Sequence, residues 1–145
     1  NEICSIGEKY NIDFVLEQLQ PYESNLVTTL DDTCRMIREV NKENLKVCLD
    51  VVAMEAAGEK INQWFSKLKK QIVHIHLADT NHQVLGTGNY DIKSYLDYLK
   101  RIDFTGYVSL EINDSIYWTN PHLSLLKSVE FLNDYFSNEF DENEH

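Results

Sequence analysis

Gln71-Ile72-Val73-His74-Ile75-His76-Leu77 is the stretch that decides the fold. It is short and rich in β-branched and apolar side chains, and it carries two histidines spaced two residues apart, so that both fall on one face of a strand. Outward from it, residues 12–19, 45–53 and 106–112 have the same character. Each of the four is followed by helical periodicity. Residues 31–40 open on two acidic side chains suited to a helix amino terminus. Ile61, Trp64, Phe65 and Leu68 fall at i, i+3, i+4 and i+7; Ile92, Tyr95, Leu96 and Leu99 repeat that face, and Leu125, Val129, Leu132 and Phe136 define another. The opening stretch, with Ile3, Ile6 and Tyr10, reads as the end of a preceding helix, and a first residue of Asn1 suggests a piece of something longer.

Strand and helix alternate through the whole chain, with strand starts about 26 to 35 residues apart, which predicts βαβ units and a parallel sheet in an α/β fold. Four parallel strands leave open edges, whereas a barrel closes with eight, so something must cover the edges: a second copy or a further half-barrel.

The bulk composition narrows the function. Thirteen Lys and Arg against 24 Asp and Glu give a formal net charge of −11, which repels phosphate backbones and anionic lipid and argues against nucleic-acid and membrane partners. The only basic cluster, Lys67, Lys69 and Lys70, reads as a solvated helix face, and residues 139–145 as an acidic tail on a domain spanning 1–138. Three cysteines without a CxxC pair fit neither a disulfide framework nor a zinc ribbon, and no apolar run approaches membrane-spanning length. A cytoplasmic protein is the expectation.

The informative feature lies at the strand ends. Glu17, Asp50, His76 and Glu111 each bring an ionisable side chain to the carboxyl end of an apolar segment, the end at which parallel α/β folds build their sites. Three carboxylates and an imidazole form an oxygen-rich donor set suited to Mn²⁺, Co²⁺ or Mg²⁺, with Zn²⁺ also accommodated. On spacing alone, the same residues serve equally well as strand-end caps for loop amides.

These residues, with LEQLQPYESN (16–25), LDVVA (49–53), HIHLAD (74–79), HQVLGTG (82–88) and YVSLEI (107–112), carry a resemblance. The chain resembles the C-terminal half of the sugar isomerase/epimerase group within the xylose-isomerase-like TIM barrels, the group of D-tagatose 3-epimerase, and is most similar to its fructoselysine 3-epimerase branch. The resemblance implies a (β/α)₈ barrel of which this chain covers about the last four βα units. It also implies metal-dependent 3-epimerisation of a ketose or ketosamine through an enediolate. Glu17, Asp50, His76 and Glu111 would be the metal ligands, and Mn²⁺ the expected ion. Glu17 and Glu111 would double as the proton-transfer pair, with Glu23 and His82 contacting a sugar or sugar-amine substrate. The tagatose branch has histidine where this chain has Ala53 and arginine where it has His82, and both departures point to the fructoselysine side of the group.

Other residues have plainer readings. His74 is expected to be a hydrogen-bonded interior histidine, Cys48 a small buried residue, Asp79 a turn cap or ligand-orienting group, and Trp118 a side chain packed on a loop; for His82 a solvated loop position competes with substrate contact. Two other functions compete. One is a half-barrel that binds metal or assembles as a dimer without catalysis. The other is a phosphodiesterase resembling endonuclease IV, disfavoured by the acidic charge and by only five histidines.

Overall fold

The computed structural model describes residues 1–142, with side chains through Ser137. Four parallel strands, β1 (Phe14–Glu17), β2 (Leu45–Asp50), β3 (Ile72–Leu77) and β4 (Tyr107–Leu110), form one sheet in the order β1-β2-β3-β4. Seven α-helices are interleaved among the described residues: α1 (Glu2–Tyr10), α2 (Leu30–Val40), α3 (Val51–Ala56), α4 (Ile61–Leu68), α5 (Ile92–Arg101), α6 (Ser115–Thr119) and α7 (Pro121–Glu142). The predicted alternation is therefore present, and β1 and β4 are edge strands. None of these helices is long and apolar enough to cross a membrane.

The chain divides into two compact units. The first comprises 1–76 with 105–109, and the second 77–104 with 110–145.

In the first unit the core lies around β2, where Val47, Cys48, Leu49 and Asp50 are all buried. A central strand is covered on both faces, which is why it is a continuous apolar run rather than an alternating one. Trp64 and Phe65 are buried as their spacing predicted. Trp64 is fully enclosed, and its indole Nε1 donates to Glu59 Oε2 at 2.9 Å, while the same carboxylate accepts the Leu30 amide that opens α2. Thr29 caps α2 by accepting the Asp32 amide, and the Thr29 hydroxyl donates to Asp32 at 2.9 Å, the main reason that carboxyl is held below its ordinary range. Truncating Trp64 removes a large buried volume and a buried hydrogen bond together. Trp64→Ala is expected to cost about 3–5 kcal/mol in urea unfolding; a loss below about 1 kcal/mol would mean this side chain is not central to the core.

Strand and helix limits differ from the sequence reading in an instructive way. The predicted strand at 45–53 stops at Asp50, because Asp50 Oδ1 accepts the amides of Val52 (2.6 Å) and Ala53 (3.1 Å) and so starts α3 in the middle of an apolar run. β1 is likewise shorter than 12–19.

The second unit packs α5 through Ile92, Tyr95, Leu96 and Leu99, all buried as predicted. The predicted face of α7 is not the buried one. Leu125, Val129 and Phe136 are exposed, and burial falls instead on Ser124, Ser128 and Tyr135, one residue earlier around the helix. The 84–86 loop approaches α7 closely: Ser128 Oγ accepts the Leu85 amide at 3.2 Å, and Gly86, at φ 79°, lies against the Phe131 ring with no room for a Cβ. Tyr135 donates to Asp97 at 2.6 Å, tying α7 to α5. The expected acidic tail begins in the last turn of α7; its side chains, and residues 143–145 altogether, lie outside the described residues.

Candidate metal centre

The parallel register sets the site. Glu17 pairs with Cys48 and Cys48 with His74, forming one transverse row across β1, β2 and β3; Asp50 pairs with His76 one step further along the strands. Alternation puts Cys48 and Asp50 on one face, and His74 and His76 likewise. Within the first unit, Glu17, Asp50 and His76 each present a donor atom within 4.8 Å of the others. His76 Nδ1 lies 2.5 Å from Glu17 Oε1, a short, charge-assisted contact of a carboxylate with an imidazole. Asp50 is nearly fully buried while Glu17 and His76 are partly open, so the cluster has a closed floor and an accessible side.

For Asp50 the two readings that the sequence left as alternatives do not exclude each other. One oxygen caps α3, and a carboxylate has a second, so capping and metal ligation are compatible. Gln18, fully buried, was not foreseen: its Nε2 donates to the Asp50 carbonyl at 2.9 Å and its Oε1 accepts the Asp50 amide at 3.3 Å, so the side chain extends the β1–β2 ladder by one rung. The signal in sequence was an amide side chain set directly between a candidate ligand, Glu17, and an apolar residue, Leu19. Glu23, also in this unit, turns back to accept the Gln20 amide at 3.0 Å, and Gln20 Nε2 donates to the Tyr22 hydroxyl at 3.2 Å.

Glu111 and His82 belong to the second unit. The Glu111 amide donates to the carbonyl of Leu77, and its own carbonyl lies 3.2 Å from His82 Nδ1. His82 is buried, at 9% exposure, so the solvated-loop reading is corrected. Asn81 and His82 both adopt left-handed backbone at φ 56°, a conformation that costs L-residues free energy and that the surrounding loop must enforce. That loop is organised by Asp79, fully buried, whose carboxylate accepts the amides of Thr80 (2.8 Å), Gly86 (3.0 Å) and Tyr90 (3.0 Å). Asp79 is therefore a turn-building residue. Trp118 does not pack on a loop as expected: it is 74% exposed and meets the Tyr117 ring edge-on.

A parallel α/β sheet with acidic and imidazole donors gathered at its carboxyl ends matches a recognised barrel class. The chain belongs to the family described as Xylose isomerase-like TIM barrel, which matches residues 1–135. It is homologous to sugar epimerases: it is 26% identical over 135 residues to fructoselysine 3-epimerase of Escherichia coli O157:H7, covering 90% of this chain and 49% of that protein. It is 30% identical over 101 residues to L-ribulose 3-epimerase of Methylomonas sp. (strain DH-1), covering 70% of this chain and 35% of that one. The solved structure of an L-ribulose 3-epimerase superposes with a TM-score of 0.83 at 19% identity, over 99% of this chain and 53% of that one, a likeness of fold. The chain spans about half the length of the curated relatives it matches. Its four parallel strands are about half of a TIM barrel.

Proposed function

We propose that the protein carrying this chain is a metal-dependent 3-epimerase of a ketose or ketosamine, with Glu17, Asp50, His76 and Glu111 as ligands and Mn²⁺ as the ion. The observation that carries this reading is the convergence of Glu17, Asp50 and His76 donor atoms within 4.8 Å of one another at successive strand ends. Their mixed oxygen and nitrogen chemistry fits a first-row divalent ion better than a soft one. Glu17, Asp50, His76 and Glu111 would hold such an ion, which would supply Lewis-acid stabilisation of negative charge developing on the substrate oxygens.

The protein side chains do the proton work. Glu17 removes the proton α to the carbonyl, and Glu111 returns one from the opposite face, inverting the carbon; the reverse direction exchanges their roles. His76, in contact with Glu17 Oε1, orients that carboxylate. Asp50, held by Gln18 and by the start of α3, fixes the floor. Glu23 and His82 hold the sugar or sugar-amine, with His82 positioned by its strained loop.

Metal removal tests this. Chelation is expected to abolish epimerisation of fructoselysine, psicoselysine or ketohexoses, followed as deuterium uptake at C3 in D₂O, and Mn²⁺ or Co²⁺ to restore it. Absence of turnover on all of them with metal restored would count against the reading. A second reading is a half-barrel that binds metal without catalysis. Tight Mn²⁺ binding, seen as loss of the free-ion paramagnetic resonance signal, without turnover would select it.

A further inference from the structure

The strand ends of the first unit hold a second set of donors that shares His76 with the proposed epimerase site and adds Cys48 and His74, which that chemistry does not use. Cys48, His74 and His76 offer a sulfur and two ring nitrogens within 4.8 Å of one another. Cys48 and His74 are direct register partners on β2 and β3, and His76 lies two residues beyond His74 on the same face. The rings of His74 and His76 meet edge-on with centroids 5.0 Å apart. His74 Nε2 is 2.7 Å from Ser109 Oγ, a contact that fixes the ring as the partners of metal-bound imidazoles do. Cys48 itself is 3% exposed, so its sulfur is shielded from bulk solvent while the histidines are partly open.

We propose that Cys48, His74 and His76 form a soft-metal site that takes a thiophilic cation, Zn²⁺ or Cd²⁺, in competition with the oxygen-rich set of Glu17 and Asp50. One thiolate and two imidazoles are a common three-ligand arrangement for such ions, with water in the fourth position, and sulfur discriminates against Mn²⁺ and Mg²⁺. Binding forms a metal–sulfur bond as the thiol proton leaves to solvent, with no change of oxidation state. Because both sets draw on His76, the soft ion withdraws it from Glu17, and zinc acts on this protein as an antagonist of the harder metal. The competition, though not the soft site itself, rests on the proposed role of Glu17, Asp50 and His76.

The test uses the purified, reduced protein. Titration with Cd²⁺ is expected to give a thiolate-to-cadmium charge-transfer band in the ultraviolet that saturates at one equivalent. The band should be lost in Cys48→Ser, in which Cys4 and Cys34 remain, and weakened in His74→Gln. Cd²⁺ should reduce Mn²⁺ affinity by about tenfold or more in the parent protein and leave Cys48→Ser unaffected. Glu17→Gln should lose Mn²⁺ affinity yet keep the cadmium band. A band that survives Cys48→Ser, or none in the parent protein, overturns the soft site. A band without any Mn²⁺ binding overturns the epimerase metal reading and leaves the soft site standing. Circular dichroism identical to the parent protein qualifies each variant as folded.

Discussion

Glu17→Gln is expected to lower epimerisation by about 10³-fold at saturating Mn²⁺, the range over which removing a positioned general base acts. Glutamine keeps an oxygen to accept from His76, so the 2.5 Å contact is weakened rather than deleted and the fold is preserved. On the proposed mechanism, what disappears is the capacity to hold a proton between turnovers. Measuring turnover and Mn²⁺ affinity on the same preparation separates the two duties assigned to this carboxylate. A rate deficit that excess Mn²⁺ repairs makes Glu17 a ligand only, whereas a deficit that persists at saturation makes it a base as well. Turnover within tenfold of the parent protein would remove Glu17 from the chemistry altogether.

Asp79→Ala is expected to be the most damaging single change in the second unit, costing about 3–5 kcal/mol in denaturant unfolding. Three backbone amides, those of Thr80, Gly86 and Tyr90, lose their acceptor at once, and Asp79 itself has no exposed surface. Asp79→Asn is expected to recover little, since one amide nitrogen would then face N–H donors. Gly88→Ala offers an independent check, because a Cβ there would collide with the Asp79 carboxylate. If the alanine variant at 79 unfolds within about 1 kcal/mol of the parent protein, the loop is held by something other than this carboxylate.

The contrast between these two residues shows what was legible in the sequence. Glu17 sits at the end of an apolar run, and its spacing from Asp50, His76 and Glu111 carries the family pattern, so both its strand-end position and its candidate role could be read from letters alone. Asp79 follows His76 by only three residues and has partners as far as Tyr90, so its role depends on how a loop folds back, which no periodicity encodes. The faces of α4 and α5 were legible because burial there is apolar. That of α7 was not, because its buried positions include Ser124 and Ser128, which are small rather than apolar, and Ser128 is there to accept the Leu85 amide. The start of α3 was hidden for a related reason: Val51, Val52 and Ala53 have the composition of a strand, and only the geometry of Asp50 as a cap turns them into a helix. The cysteine–histidine row across β2 and β3 needed the register, which a single strand's sequence does not contain.

Gln18 has a consequence for how such a protein diversifies. Its side-chain amide stands in for a peptide group and grips Asp50 through both backbone atoms, so the aspartate is anchored before the chain reaches the 20–28 segment. With Glu23 as the substrate contact proposed above, that segment can exchange residues to suit a new sugar while Asp50 stays put. Anchorage and selectivity are carried by neighbouring but separable positions, and a lineage can retune one without forfeiting the other.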